Sequence, residues 1–315
     1  MKDTLQTIAF YNTENLFDVY DDTYTKDNDF LPTADKKWTT KRYKNKLRKL
    51  GFAISSIGKI ETGKHPAIIG LAEVENALVL EDLIQSKHLN NCNYSFVHYD
   101  SPDERGIDVA LLYDTTAFDV EYAEPFSVDL TDDFGEPDYT RDILLVTGLL
   151  NDEKVHIIVN HWSSRREGTQ ETEHKRMAAS LEVSKIIDTI KFKDQDAKIV
   201  VLGDFNDDPL SKSIKHLIAN SDLHNPMESL IAYNRGTLNY KFQWNLFDQI
   251  LLSRNFSDRN VNGFQFVEAN IFDNDFLKIF KGKYRGNPFR TFVGQKYKGG
   301  YSDHFPVFMV IKKAC

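Results

Sequence analysis

The sequence predicts an α/β protein in which two packed β-sheets carry helices on their outer faces. Short apolar runs alternate with segments of helical periodicity along all 315 residues, with neither an internal repeat nor a Pro/Gly/Ser-rich linker. Ten of these runs have strand character, which is more than a single open sheet comfortably holds. Several are apolar almost without interruption, as expected of strands covered on both faces. The length permits two ordinary domains or one large domain, and we expect a single domain over residues 1–315.

The strands are predicted from runs rich in β-branched and aromatic residues that end at polar or turn-forming positions. They cover residues 7–12, 67–74, 94–99, 108–113, 142–150, 155–162, 197–204, 247–253, 264–269 and 305–311.

Helical periodicity is clearest over residues 38–58, 170–192 and 211–220. In the first of these segments, apolar residues recur at helical spacing and predict one buried stripe: Leu47, Leu50, Ile54 and Ile57. Six basic residues crowd the first half of the same helix, namely Lys41, Arg42, Lys44, Lys46, Arg48 and Lys49. We interpret them as a solvated face, with contact to nucleic acid as the alternative.

Two long polar segments rich in aromatic residues, 20–36 and 254–300, are interpreted as excursions over the surface. Such segments are the usual place for substrate specificity.

Composition limits the function classes. Hydrophobic residues make up 41% of the chain and charged residues 27%, the balance of a globular protein with a substantial core. The formal net charge of −8 argues against a protein that holds nucleic acid by a general basic surface. An enzyme acting on phosphates is still compatible with this charge, because clustered carboxylates with a bound cation present a local positive potential.

The start of the chain offers one apolar run, Ile8 to Tyr11, which is too short for a signal peptide or a membrane span. We therefore expect a cytoplasmic protein without a membrane span, and leave secretion open should a leader have been removed.

Polar residues stand at the ends of the predicted apolar strands. Four strands are closed by polar residues, namely Asn12 with Glu14, Glu73, His161, and Asp204 with Asn206, whereas Asp248 and the pair Asp303–His304 open two others. Each has a structural alternative: a turn residue, a cap of the helix that begins near Asn76, or side-chain bonding within a turn. A carboxylate in an apolar surrounding must, however, be paired, hydrogen-bonded or bound to metal. Several of them at strand ends predict one shared cluster.

Seven stretches in this order resemble the endonuclease/exonuclease/phosphatase superfamily with its deoxyribonuclease-like fold, in particular its bacterial nuclease-like members. They are YNTEN, LAEVEN, RGIDVALLY, NHWSSRR, GDFND, FDQILLS and YSDHFPV. The resemblance implies a four-layer α/β sandwich of two mixed β-sheets and hydrolysis of phosphodiesters or phosphomonoesters with Mg²⁺, or Mn²⁺ or another divalent ion. A monomer is the default state of this family.

The resemblance also assigns roles. Asn12 and Glu73 correspond to the primary metal group, with Glu14 as a weaker addition, and Asp303 to a further metal-side acid. Asp204 and Asn206 correspond to the pair that orients the attacking water and binds phosphate or a second ion. His304 corresponds to the imidazole paired with Asp248, and His161 to the histidine of the deoxyribonuclease and sphingomyelinase branches. Asp108 is the candidate to orient His161.

The substrate is less determined by the sequence. Arg165 and Arg166 follow His161 and are candidates to clamp a phosphate, with a solvated loop as the equal alternative; Arg105 and Arg290 are weaker candidates. The favoured hypothesis is a nuclease acting on DNA or RNA. The alternatives are a phosphatase or phosphodiesterase acting on a small molecule or lipid headgroup, and a non-catalytic binding module.

Overall fold

A computed structural model describes residues 4–132, 134–257 and 263–313. Its strands are β1 (Thr4–Leu16), β2 (Ile68–Val74), β3 (Tyr94–His98), β4 (Asp108–Asp114), β5 (Phe118–Phe126), β6 (Ile143–Leu150), β7 (Glu153–His161), β8 (Lys198–Asp204), β9 (Leu223–His224), β10 (Leu238–Tyr240), β11 (Gln243–Asn245), β12 (Asp248–Ser253), β13 (Phe264–Ile271), β14 (Phe292–Val293), β15 (Lys296–Tyr297) and β16 (Val307–Lys313). Its α-helices are α1 (Thr40–Ile54), α2 (Lys59–Thr62), α3 (Ala77–Ile84), α4 (Glu173–Lys193) and α5 (Lys212–Ser221).

Two six-stranded mixed sheets form the centre of the fold. Sheet one has the order β13-β16-β1-β2-β4-β3, and sheet two has the order β5-β6-β7-β8-β12-β9. Each sheet has one parallel pair, β1 with β2 and β7 with β8, while its other pairs are antiparallel. Helices α1 and α3 pack with sheet one, and α4 and α5 cover sheet two. The predicted four-layer sandwich is confirmed.

The near-continuous apolar strands reflect burial on both faces. Along β8, Val200 and Leu202 point into the core between the sheets, whereas Ile199 and Val201 pack under α4 and α5. The sheets approach closely at Gly70 on β2, where a Cβ atom would lie 2.2 Å from the Leu202 Cδ1 atom. A side chain at position 70 would therefore push the two sheets apart.

All ten predicted strands and all three predicted helices are present, with ends shifted by a few residues. The prediction missed β5 as well as the short strands. Strand β5 is an edge strand with a mostly exposed or half-buried pattern, and it contains Pro125, a residue that edge strands tolerate. Its sequence therefore lacks the apolar run by which the central strands are recognised. Within the described residues, no helix is long and apolar enough to cross a membrane.

The solvated-face interpretation of α1 is wrong at one position. Lys41, Lys44 and Arg48 are exposed as expected, but Lys46 is buried. It lies three residues after buried Tyr43 and four before buried Leu50, so it is on the inward face of the helix. That spacing was the signal in the sequence that would have identified it.

Candidate active site

Asp204 is the centre of the strand-end cluster, because β8 lies between β7 and β12 in sheet two. The register aligns His161 with Asp204 across the parallel pair and Asp248 with Asp204 across the antiparallel pair. Parallel β7 and β8 end at the edge where antiparallel β12 begins, so the three polar residues meet there. The predicted convergence in sheet two follows directly from this register.

Sheet one brings its polar residues to the same place. The pairing of β1 with β2 shifts register after Asn12, and Glu14 and Glu73 adopt left-handed backbone conformations with φ of 53° and 60°. Such irregularities re-aim side chains and are frequent at functional sites. The Asn12 Nδ2 atom donates to Asp204 Oδ2 at 3.0 Å, which joins the two sheets at the site.

His304 is held by a carboxylate. Its Nδ1 atom lies 2.7 Å from Asp248 Oδ2, both residues are buried, and its Nε2 atom lies 3.9 Å from Asp204 Oδ2. Burial alone lowers the pKa of His304, but the negative charges of Asp248 and Asp204 raise this pKa well above the usual value. The neighbouring acids therefore favour the protonated imidazole.

His161 lies in the opposite surroundings. Its Nε2 atom is 3.9 Å from Asp204 Oδ2 and 4.0 Å from Glu73 Oε1, while its buried Nδ1 atom has no hydrogen-bond partner among the described residues. Burial and the positive charges of Arg141 and Arg105 lower the pKa of His161 well below the usual value. This imidazole is neutral at neutral pH.

The structure does not place Asp108 as the orienting partner of His161. The Asp108 carboxylate contacts His98 Nε2 at 3.1 Å and accepts from the Ser101 backbone N–H at 3.0 Å. Both of its oxygens are engaged there, because β3 pairs with β4 and brings His98 beside it.

Asp204 and Asn206 are organised by the turn that follows β8. The Asn206 backbone N–H donates to Asp204 Oδ1 at 2.9 Å, the side-chain bonding expected of such a turn, and the Asn206 amide donates to the Trp162 carbonyl. Burial raises the pKa of Asp204 to about 6 with help from the charge of Asp248, while His304 opposes the shift. The structural and the functional interpretation of this turn are therefore compatible.

Asp303 and Glu14 share Arg290. The Arg290 Nη2 atom donates to Asp303 Oδ2 at 2.8 Å, and burial of Asp303 is outweighed by Arg290 and His304, so the pKa of Asp303 is lowered. Glu14 instead accepts from the backbone N–H groups of Thr291 and Phe292, at 2.6 and 3.4 Å. Glu14 thus anchors the segment around β14, and burial raises its pKa to about 7.

Lys46 belongs to this part of the site and was missed from the sequence. Its Nζ atom donates to Thr291 Oγ1 and to the Tyr301 carbonyl, each at 2.6 Å. Burial lowers the pKa of Lys46 to about 8, although the charges of Glu14 and Asp303 oppose the shift. The lysine connects α1 to the segment that leads into Asp303.

The two neighbouring arginines behave differently. Arg165 is bound to Asp207 through Nη2 and Nε, at 2.5 and 3.1 Å, and it stacks on Phe247. Arg166 is exposed and makes no ion pair within the described ranges. Arg166, Arg105 and Arg141 line a cleft of about 190 Å³ beside His161.

The donor set fits a hard divalent cation, which prefers oxygen ligands. Glu73, Asp204 and Asp303 offer carboxylate oxygens and Asn12 an amide oxygen. Glu73 Oε1 accepts no hydrogen bond in the described part of the chain; its cationic neighbours are Arg105 Nη2 at 3.8 Å and His161 Nε2 at 4.0 Å. Asp204, Asp248 and His304 also have ligand atoms within 4.8 Å of one another. Asp248 Oδ2 and His304 Nδ1 are already used in the 2.7 Å hydrogen bond between these two residues. We therefore favour the oxygen ligands of Asn12, Glu73, Asp204 and Asp303 as the metal site.

Comparison with known proteins agrees with this architecture. A sequence profile of the Endonuclease/Exonuclease/phosphatase family matches residues 7–313, so the chain belongs to that family. No curated protein matches the chain.

Solved structures share the fold. A family member from Bacteroides thetaiotaomicron is 17% identical with a TM-score of 0.62, and each chain is 99% covered. A mannosyl-6-phosphatase from the same organism is 16% identical, with a TM-score of 0.59 over 97% of this chain and 99% of that one. D. rerio TDP2 complexed with a single-stranded DNA product is 16% identical, with a TM-score of 0.55 over 98% and 99% of the two chains. Identities this low support the common fold alone.

Proposed function

We propose that this protein is a metal-dependent phosphoester hydrolase that cleaves phosphodiester bonds in DNA or RNA. The observation that carries the proposal is the position of Asp204: both buried histidines place Nε2 3.9 Å from its Oδ2 atom, and Asn12 donates to the same oxygen. One carboxylate between a protonated and a neutral imidazole is an arrangement suited to moving a proton and holding a phosphate.

The metal would be held by Asn12, Glu73, Asp204 and Asp303. When bound there, Mg²⁺ or Mn²⁺ would supply positive charge that neutralises the phosphate and stabilises oxygens gaining charge in the reaction. The protein's part is to present these oxygens from both sheets at once. The contact between Asn12 and Asp204 keeps the two halves of this set in register.

Asp204 and Asn206 are proposed to orient the attacking water. A pKa of about 6 leaves Asp204 ionised at neutral pH and still basic enough to accept a proton. Protonated His304, fixed by Asp248, donates a hydrogen bond to a phosphate oxygen. Neutral His161, with its proton on Nε2, donates a hydrogen bond to a phosphate oxygen from the other side.

Arg166 and Arg105 are proposed to bind a substrate phosphate in the cleft beside His161, since guanidinium groups pair with phosphate oxygens. Arg165, which was predicted to share this role, uses its guanidinium for Asp207 and Ser211. We therefore assign it to support of the Asp207 turn.

A phosphatase acting on a small phosphorylated molecule is the second candidate. It is favoured by the size of the arginine-lined cleft, about 190 Å³. A cleft of that size holds one phosphorylated group rather than a length of polymer.

Activity with Mg²⁺ is to be measured on plasmid DNA, RNA, bis(p-nitrophenyl) phosphate and mannose 6-phosphate. We expect cleavage of the diesters, its loss in EDTA and its loss in the Asp204→Ala variant. Hydrolysis of the sugar phosphate alone would select the phosphatase, and a fully active Asp204→Ala variant would refute the site assignment.

A further inference from the structure

The hairpin formed by β10 and β11 begins at the catalytic histidine. Leu238 pairs with His304 in an antiparallel bridge, and the Phe305 backbone N–H donates to the Thr237 carbonyl at 2.8 Å. The tip of the hairpin, Lys241 and Phe242, turns through left-handed φ values of 48° and 66°. Phe242 is four residues from Leu238, which at the rise of an extended chain is within about 13 Å.

A second loop approaches this tip. Lys278 pairs with Pro288 at its base, and the Asn287 amide donates to Asn239 Oδ1 on β10 at 3.2 Å. Tyr284 of this second loop stacks on Phe242 at the hairpin tip, with ring centroids 5.5 Å apart and ring planes within 4° of parallel. Two segments far apart in sequence thus build one aromatic surface beside the site.

The rings remain open to solvent. Tyr240, Phe242 and Tyr284 expose 62%, 56% and 52% of their surface. Lys241 lies over the Tyr240 ring and Lys283 over both Phe242 and Tyr284, at 4.9 to 5.7 Å from the centroids. Neither lysine forms a salt bridge with another described residue. Contiguous exposed apolar surface with a polar rim is a mark of interaction sites.

We propose that these five residues, Tyr240, Lys241, Phe242, Lys283 and Tyr284, form a platform that binds single-stranded nucleic acid beside the cleavage site. The inference rests on the proposed phosphodiesterase function and names its substrate as an unpaired strand. Bases of any sequence stack on open aromatic rings, and lysines between the rings attract the backbone phosphates. The positive platform stands out on a chain whose net charge is −8.

The test measures binding without hydrolysis. Fluorescent dT12 and U12 are titrated with the full chain in EDTA, and anisotropy gives the dissociation constant over a range of salt concentrations. The double variant Phe242→Ala/Tyr284→Ala is expected to weaken binding about tenfold or more. The variant Lys241→Gln/Lys283→Gln is expected to reduce the slope of log K against log salt by about 1.4.

Phe192→Ala supplies the matched control. Phe192 is 88% exposed and stands between Lys191 and Lys193, but it lies on α4 16 residues beyond Arg176, which is about 24 Å along the helix axis. Arg176 contacts Asp207 at the edge of the site. We expect this variant to bind both oligonucleotides like the parent chain.

The outcomes separate the platform from the activity. Hydrolysis of bis(p-nitrophenyl) phosphate by the aromatic double variant should stay at the parental rate. Unchanged oligonucleotide affinity in that variant overturns the platform, whatever the activity of the parent. Binding of the parent to anionic phospholipid vesicles but not to either oligonucleotide also overturns it. Oligonucleotide binding by a parent chain that cleaves no diester keeps the platform and refutes the proposed function.

Discussion

The two buried histidines of the site are at equal distances from Asp204 and in opposite surroundings. Each Nε2 atom lies 3.9 Å from Asp204 Oδ2. Asp248 fixes the ring of His304, and the acids around this ring raise its pKa. The ring of His161 has no hydrogen-bond partner at Nδ1 in the described structure, and burial together with nearby arginines lowers its pKa.

Under the proposed function, this difference in surroundings would let one residue type supply two roles at a single pH. A protonated imidazole donates from both ring nitrogens, whereas a neutral one donates from one nitrogen and accepts at the other. The surroundings of each ring decide the direction of its pKa shift: the charge of Asp248 on β12 raises that of His304, and burial, helped by Arg141 and Arg105, lowers that of His161. Substitutions of these neighbours therefore test the division of roles.

The largest effect is expected from Asp248→Asn. The change removes the charge that keeps His304 protonated, so kcat/KM on the best diester should fall by about 10²–10⁴. Because the pKa of His304 then drops towards its ordinary value, the imidazolium is lost at lower pH and the alkaline fall of the pH–rate profile should begin earlier. An alkaline limb at the same position as in the parent would contradict the role of His304. Thermal unfolding of the variant checks that it folds.

A smaller effect, on stability, is expected from Asp204→Asn in the metal-free protein. The folded chain holds the Asp204 proton more tightly than the unfolded chain, because its pKa is raised to about 6. Unfolding releases that proton between about pH 4 and 6, so this group lowers stability as the pH rises through that window. The asparagine variant should therefore be more stable than the parent at pH 7.5, by on the order of 1–3 kcal/mol.

Thermal melts in EDTA and with added Mg²⁺ measure this difference. Mg²⁺ should raise the Tm of the parent much more than that of Asp204→Asn, since the variant replaces a charged carboxylate ligand with a neutral amide. Asp196→Asn, which changes an exposed carboxylate shortly before β8, is the control and should follow the parent. Equal Mg²⁺ responses of the parent and Asp204→Asn would remove Asp204 from the metal group.

The next largest effects are expected from substitution of the two neighbouring arginines, Arg165 and Arg166, which should differ in kind. Arg166→Ala should raise KM about tenfold with little change in Tm, because its side chain is free to contact substrate. Arg165→Ala should leave KM unchanged and destabilise the chain by about 1–2 kcal/mol, because it leaves Asp207 with fewer donors. Steady-state kinetics and urea unfolding of both variants distinguish the two roles, and a KM effect in Arg165→Ala alone would reverse the assignment.

The sequence allowed prediction of the elements and of the place where the polar residues meet, for a physical reason. Strand periodicity and strand ends are local properties, and parallel pairing then brings residues such as His161 and Asp204 to one edge. The direction of a long side chain, by contrast, is determined by partners that are distant in the sequence. Whether Arg165 or Arg166 is free depends on Asp207 in another turn, and Lys46 is drawn inward by Thr291 and Tyr301 from the distant end of the chain. The single domain over residues 1–315 and the monomeric state stay predictions.

The smallest effect is expected from Asp108→Asn, which tests whether His161 acts without a carboxylate partner. Asp108 bonds His98 and the Ser101 backbone, and asparagine retains an acceptor for the latter. A double-mutant cycle of Asp108→Asn with His161→Ala should give a coupling energy below about 0.5 kcal/mol in kcat/KM, as for independent sites. The parallel cycle of Asp248→Asn with His304→Ala should be strongly non-additive, because the second change removes the group on which the first one acts. Strong coupling in the first cycle would show that Asp108 does orient His161 during the reaction. The two histidines would then differ in charge, but each would be oriented by a carboxylate.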